Sequence, residues 1–457
     1  MAQTTATYNQ NSKICDYRKI ANRKIDLATA GLHPFIYKIV TQNISPENAL
    51  NIAEYILAMK TETNVSDAYR SIIIKDLSII SRFSKNKSFV NMKREDVLDF
   101  LDSYRKPDTS DPLHKWIGTY NLKRSLLIRF FKWLNYRNDD PKSRKVPAVV
   151  ENIPMLKRRE QSIYRPADLW TIEDDLLFLK FCPNTRDRCY HAISRDTSCR
   201  PDEILKLRIK DVVFKTASEN CQYAEVLVNG KTGTRSVPLF NSIPYVKDWL
   251  DDHIQRGNPN AFLIPSRDRK NFGKKLAEVS LNRIYKWYKS KYFPALLEDP
   301  NVLAEDKNKI SELLKKPWNP YIRRHSALTE KSKILREHTL RQHAGWSGRS
   351  QMHLKYLHYF GNESSEGILE AWGIMPKNKQ QSDTLKPKQC PNCNEPNKPD
   401  SKFCAKCRMV LTYDAYNETI DEKEKKDTQL SELIMKQARF EQLIQSLIDS
   451  GQLKASK

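Results

Sequence analysis

The chain has 457 residues, enough for two or three separate cores, since single domains usually run to roughly 100 to 200 residues. Lysine plus arginine number 78 against 55 acids, a formal charge of +23 that suits a polyanionic partner such as nucleic acid, with an acidic membrane surface as the competing partner. No run approaches the roughly 18 uninterrupted apolar residues of a spanning helix and the first residues lack a secretory apolar core, so a soluble cytoplasmic protein is expected.

After a polar segment over 1–40, helical patterns follow one another through ENALNIAEYILAMK, DAYRSIIIKDLSIISRFS, REDVLDFLDSYRK and TYNLKRSLLIRFFKWLNY. In the second, Ile72, Ile73, Leu77, Ile80 and Phe83 are expected on one apolar face, with Arg70, Lys75, Arg82 and Lys85 elsewhere. This spacing predicts a small basic helical domain over 41–137. The stretch 138–166 mixes proline and basic residues without periodicity and reads as a linker. A second, mainly helical domain is expected over 167–376, opening on an N-cap at Thr171 with Glu173 and Asp174 in the first turn. Within it, YAEVLV and RSVPLF flank NGKTGT as a hairpin, the seed of a small antiparallel sheet, and helical patterns resume from NRIYKWYKSKYF. A polar linker at 377–388 precedes a cysteine cluster at 389–412. In the tail, 413–457, Leu430, Leu433, Phe440, Ile444 and Leu447 keep heptad spacing interrupted by Gln437, which fits a short helix for self-association or for docking on the body. There is no internal repeat.

Of nine cysteines most are scattered singly, but Cys390, Cys393, Cys404 and Cys407 form two CxxC pairs. Four thiolates at this spacing fit a closed tetrahedral zinc shell, and so short a module has too little apolar surface to fold without its metal. Two disulfides are the competing reading, disfavoured in a reducing compartment. A closed shell has no open position, so this zinc is structural rather than catalytic. GKTGT at Gly230–Thr234 invites a phosphate-loop reading, yet Glu225 stands where that loop needs another glycine. Lys231 is instead a flexible cation at the hairpin tip.

Two further segments carry chemistry: SRDTSCRPDEILKLRIKDV around Arg200, and NPYIRRHSALTEKSKILREHTLRQHAGWSGRSQMHLKYLHYF around Arg324, Trp346 and Tyr356. Arg200 followed by Pro-Asp-Glu-Ile-Leu resembles the first arginine box of the tyrosine recombinase, or lambda integrase, family. The hairpin with Lys231 follows in the family's order, PYIRRHS resembles its second box, with His325 and Ser326 matching the residues after Arg324, and GWSGRSQMHLKYLH resembles its third. The resemblance covers about 170–369, and the helical region before it is similar to the family's N-terminal core-binding domain. It implies a mainly α catalytic domain with a small sheet, two domains clamped around duplex DNA, assembly into a tetrameric synaptic complex, and no metal or nucleotide in catalysis. Implied roles are Tyr356 as nucleophile, Arg200 and Arg324 as transition-state cations, Lys231 as general acid, and Trp346 as a packing and hydrogen-bonding group.

Two departures stand out. Tyr321 occupies the place where the family most often has histidine, and a phenol is a poor base near neutral pH, so Tyr321 is expected to orient or relay. The interval from Trp346 to Tyr356 is about one residue longer than the common spacing, which keeps Tyr359 open as a rival nucleophile. The tyrosine before the arginine box, combined with a terminal zinc ribbon, is similar to integrases of archaeal mobile elements. A type IB topoisomerase shares the chemistry, and an inactive DNA-binding or zinc-ribbon adaptor shares the charge; only the two enzymes would form a covalent adduct.

Overall fold

The computed structural model describes residues 20–158, 164–217, 222–230, 233–348, 350–354, 356, 372–373 and 385–449. The chain divides into two compact units, 1–163 and 164–457.

The first unit is helical: α1 at 20–29, α2 Pro34–Gln42, α3 Pro46–Thr63, α4 Asp67–Phe83, α5 Arg94–Asp102 and α6 Trp116–Asn135. Ser45 and Ser66 cap α3 and α4 by accepting from the backbone N–H of Asn48 and Tyr69. The core is formed by Ile52, Ile56, Ile73, Ile74, Leu77, Ile80, Phe100, Leu127 and Phe130, and it starts as early as Ile25 and Ala28. Along α4 the apolar face is rotated from the one expected. Ile72 and Phe83 are exposed, Ile74 takes a core position, and Arg70 is buried. The arginine is tolerated there because its guanidinium donates to the carbonyls of Ala28 and Ala30 and to Asp67, closing the end of α1 against α4. Buried Asn48 is likewise satisfied: its amide donates to Ser81 Oγ and the Lys87 carbonyl, and its oxygen accepts from Phe89 N–H.

The second unit begins with α7 Ile172–Phe181, whose N-cap is Thr171 in a reciprocal box with Asp174. There follow α8 Thr185–Thr197, α9 Pro201–Leu205, strands β1 Val212–Thr216, β2 Gln222–Gly230 and β3 Gly233–Leu239, then α10 Ile243–Asp251, α11 Glu278–Trp287, α12 Phe293–Leu296, α13 Ala304–Lys315, α14 Pro320–Ser332, α15 Glu337–Ala344 and α16 Met352–Leu354. The expected hairpin is β2–β3, in a register that pairs Val226 with Val237 and Gly230 with Gly233. A further strand, β1, pairs antiparallel along β2 and was not expected from sequence. Its pattern of one buried and four exposed residues gives no alternation to read. The core of the unit is rich in rings, with Phe178 packed by Tyr285, Phe293 and Trp318. Among the described residues no helix is long and apolar enough to cross a membrane.

Candidate active site

The site is assembled from the ends of α8, α9, α14 and α15. Chain reversal after α8 uses Ser198 in the left-handed region (φ 50°), and Arg200 then serves as N-cap of α9, with Pro201 in the first helical position, where its missing N–H costs nothing. Glu203 reaches back to this cap. Its carboxylate accepts from Arg200 N–H (3.0 Å) and from Arg200 Nη1 (2.8 Å), so the spacing Arg-Pro-Asp-Glu locks the arginine to its own helix. Burial alone would raise the Glu203 carboxyl, but the hydrogen bonds from Arg235 and Arg200 outweigh it and hold the group below its usual range.

Arg235 is a residue that sequence reasoning missed. From β3 its Nη2 donates to Glu203 (2.9 Å) and to Cys199 Sγ (3.2 Å), while Nε donates to the His343 carbonyl (3.1 Å). The signal was present, because Arg235, Val237 and Leu239 alternate on the inward face of β3. Gly345, with φ at 64°, lies against the same guanidinium: a Cβ there would come within 2.4 Å of Arg235 Nη1.

Arg324 sits in α14, which Asn319 caps by accepting from Ile322 N–H. Its guanidinium is buried and donates to the carbonyls of Ser198 (2.6 Å) and Ala344 (2.9 Å), joining the ends of α8 and α15. Burial first, and the field of Arg200 second, lower its pKa. The preceding residue, Arg323, is buried against Asp175 of α7, which also receives His191 (2.8 Å). Ser326 accepts from Trp170 N–H and donates to the Ile322 carbonyl, so it joins backbone rather than facing the site.

Tyr356 is 2 % exposed. Its hydroxyl lies 2.9 Å from His325 Nδ1, and its ring stacks on His325 (centroids 5.8 Å, 24°) and on Trp346 (5.4 Å, 22°). Burial pushes the phenol up to about 12, against the opposing fields of Arg324 and Arg200. Tyr321 is 43 % exposed and lines a cavity of about 380 Å³ with Arg200, Glu203, Lys206, Asn229 and Gly230. Burial also raises its phenol. Arg324, Trp346 and Tyr356 stand off that cavity lining. Gly230 is the last described residue of β2 before the hairpin tip; Lys231 and Tyr359 lie outside the described residues.

Comparison with known proteins finds no matching family model and no matching curated protein. Among solved structures the chain is similar to a XerH site-specific recombinase bound to a palindromic difH substrate in a post-cleavage complex, at 18% identity and TM-score 0.47, covering 74% of this chain and 93% of that one. It is also similar to the Tn1549 transposon integrase in complex with circular intermediate DNA (15%, TM-score 0.44, 70% and 99%). A lambda integrase dimer bound to a COC' core site is a third (13%, TM-score 0.46, 75% and 86%).

A second cluster lies at 388–412. The short strands β4 Lys388–Gln389 and β5 Pro396–Asn397 pair antiparallel, and the four sulfurs of Cys390, Cys393, Cys404 and Cys407 lie within 4.8 Å of one another. Each CxxC pair closes a tight knuckle. Asn394 and Arg408 adopt positive φ just after the second cysteine, and their N–H groups return to the carbonyls of Cys390 and Cys404. Four ligands at about 2.3 Å from one ion would stand roughly 3.8 Å apart, close to the 3.5 Å between Cys390 and Cys407 and the 3.6 Å between Cys393 and Cys404. The donor set therefore suits a metal such as zinc. The module packs on α10 through Lys247–Glu395 and Lys398–Asp248 pairs, with Lys398 over the Tyr245 ring.

Proposed function

We propose that the protein is a site-specific DNA recombinase of the integrase type, which cleaves and rejoins strands through a covalent 3′-phosphotyrosyl intermediate on Tyr356. The observation that carries this reading is one buried tyrosine, Tyr356, whose hydroxyl lies 2.9 Å from His325 beside Arg324 on α14 and whose ring stacks on Trp346. Exchanging strands without a nucleotide cofactor requires the phosphodiester energy to be kept in an enzyme link, and a tyrosine can hold it. Attack at phosphorus builds charge on the nonbridging oxygens, which two guanidinium forks stabilise in place of a metal. Lys231, next in the chain after cavity-lining Gly230, is assigned the protonation of the departing 5′-oxygen. Trp346 packs the nucleophile, and Tyr321 orients substrate at the cavity.

The partner is double-stranded DNA, and the +23 charge favours it. We assign a structural zinc to the four cysteines and self-assembly on DNA, up to a tetrameric synapse, to the tail. The tail helix, Tyr413–Asp449, leaves Leu430, Leu433, Phe440 and Ile444 exposed, which supports contact between protomers over docking on the body. The combination of Tyr321 with the cysteine module fits an integrase of an archaeal mobile element, acting in the cytoplasm on nucleoid DNA.

The test is incubation of a nicked suicide duplex with native protein and with Tyr356→Phe in chelator, followed by a denaturing gel. A slow-migrating protein–DNA species from the native protein alone supports the reading, whereas DNA binding with no such species in either would leave an inactive adaptor.

A further inference from the structure

The cleavage step sketched above leaves one proton without an acceptor. Tyr356 must lose its phenolic hydrogen as its oxygen bonds to phosphorus, and burial makes that loss harder, not easier. Tyr321 is a poor candidate to take it, being itself a phenol whose pKa is raised by burial. Lys331 and His343 are turned to other partners: the lysine donates to the Arg195 carbonyl, and the histidine ring faces Ser198 Oγ.

We propose that His325 is the proton acceptor of cleavage, taking the Tyr356 hydroxyl proton on Nδ1 as Oη attacks the scissile phosphorus. The inference rests on Tyr356 being the nucleophile. The Oη···Nδ1 separation of 2.9 Å is already that of a hydrogen bond to the reacting atom. The imidazole packs against two rings, stacked on Tyr356 (5.8 Å, 24°) and tilted against Tyr164 (5.4 Å, 54°). Ser332 Oγ of α14, whose proton goes to the Thr329 carbonyl (2.7 Å), lies 3.5 Å from the Tyr356 carbonyl. One helix, α14, carries both the transition-state cation, Arg324, and the acceptor, His325.

The step balances. The P–Oη bond forms and the P–O5′ bond breaks, the phenolic proton moves to Nδ1, and the departing 5′-oxygen takes a proton from Lys231. In rejoining, the protonated imidazole returns its proton to Oη as the phosphotyrosyl bond opens. Among the groups packed on His325 are the Tyr356 hydroxyl and the Tyr164 phenol, which accepts from Asn319, and the fields of Arg324 and Arg200 act on that Tyr356 hydroxyl.

Single-turnover adduct formation on a nicked suicide duplex tests this, run from about pH 5 to about pH 10 to span imidazole and reach toward phenol titration. The arms are native protein, His325→Ala, His325→Gln and Tyr356→Phe, with DNA affinity measured alongside. Expected are an adduct in the native protein and none in Tyr356→Phe. Both His325 variants should be slowed about a hundred- to ten-thousand-fold near neutrality with affinity kept. The deficit should narrow as pH rises, added imidazole should partly restore His325→Ala, and the native rate should fall on the acid side. A His325→Gln enzyme at the native rate would overturn the proposal, since a hydrogen bond alone would then suffice. So would a deficit constant across pH and unmoved by imidazole. If both variants misfold, a native rate that is flat through imidazole titration overturns it equally. Absence of any adduct in the native protein would instead fail the reading of Tyr356, a separate result.

Discussion

Glu203 joins the two residues that sequence found and missed. It holds Arg200 at the cap of α9 and Arg235 on β3, so removing Arg235 leaves a nearly buried carboxylate half-paired. Arg235→Ala should cost about 3 kcal/mol or more and slow adduct formation less than Arg200→Ala does. Thermal unfolding beside single-turnover cleavage checks this, and native-like behaviour in both would remove Arg235 from the support of the site. Arg200→Ala and Arg324→Ala should each slow cleavage about a hundred- to a thousand-fold, the usual loss for one transition-state donor; near-normal rates in either variant would take that residue out of the chemistry. Gly345→Ala combines strain at positive φ with a collision on the Arg235 guanidinium and should lose at least about 1 kcal/mol.

At the scale of elements, α14 is positioned by what it buries. Arg323 enters an ion pair with Asp175 of α7 in the interior, which fixes the rotation of the helix and so the direction of Arg324 and His325 on its next positions. His191, against the same Asp175, is lowered to about 4 by burial and by the Arg323 field, and His343 to about 3 by burial and nearby cations. Between those values and the ordinary imidazole value of about 6.5, the unfolded chain binds protons that the folded one does not. Stability of the second unit should therefore be full above about pH 6.5 and decline as pH falls toward 4. Melting temperature against pH checks it, with His191→Gln flattening part of the acid slope; a melting temperature constant from pH 7 to about pH 4 would contradict the burial argument.

Much of this was legible because helical spacing and capping are local. The order of the arginine, hairpin, arginine and tyrosine segments was readable, as was the Thr171 cap. The rotation of α4 was not, because a buried arginine that finds two backbone carbonyls obeys no hydropathy period. Nor was the pairing of His325 with Tyr356, which joins residues from two elements and depends on how α14 is rolled. The strand β1 escaped because its side chains are mostly exposed and so show no alternation.

For the whole molecule, the cysteine module meets α10 through two ion pairs, Lys398–Asp248, which is partly exposed, and Lys247–Glu395, whose carboxylate is largely buried. Removing the metal should unfold the module and leave the tyrosine site standing. Chelation, or truncation after about Pro376, should thus preserve adduct formation while weakening synapsis or integration. Loss of both together would mean that the C-terminal region completes the active site. Charge placed in the exposed stripe of the tail helix, as in Leu433→Lys with Phe440→Glu, should abolish self-association on DNA by sedimentation without changing cleavage of a single site.

The central claim concerns one atom, the Tyr356 hydroxyl. Trapping the native protein on a nicked suicide duplex, digesting the adduct and identifying the nucleotide-bearing peptide by mass spectrometry tests it directly. The account predicts a phosphodiester to the 3′ end of the DNA on Tyr356, absent from Tyr356→Phe. The same modification on Tyr359, or an adduct persisting in Tyr356→Phe, would contradict it.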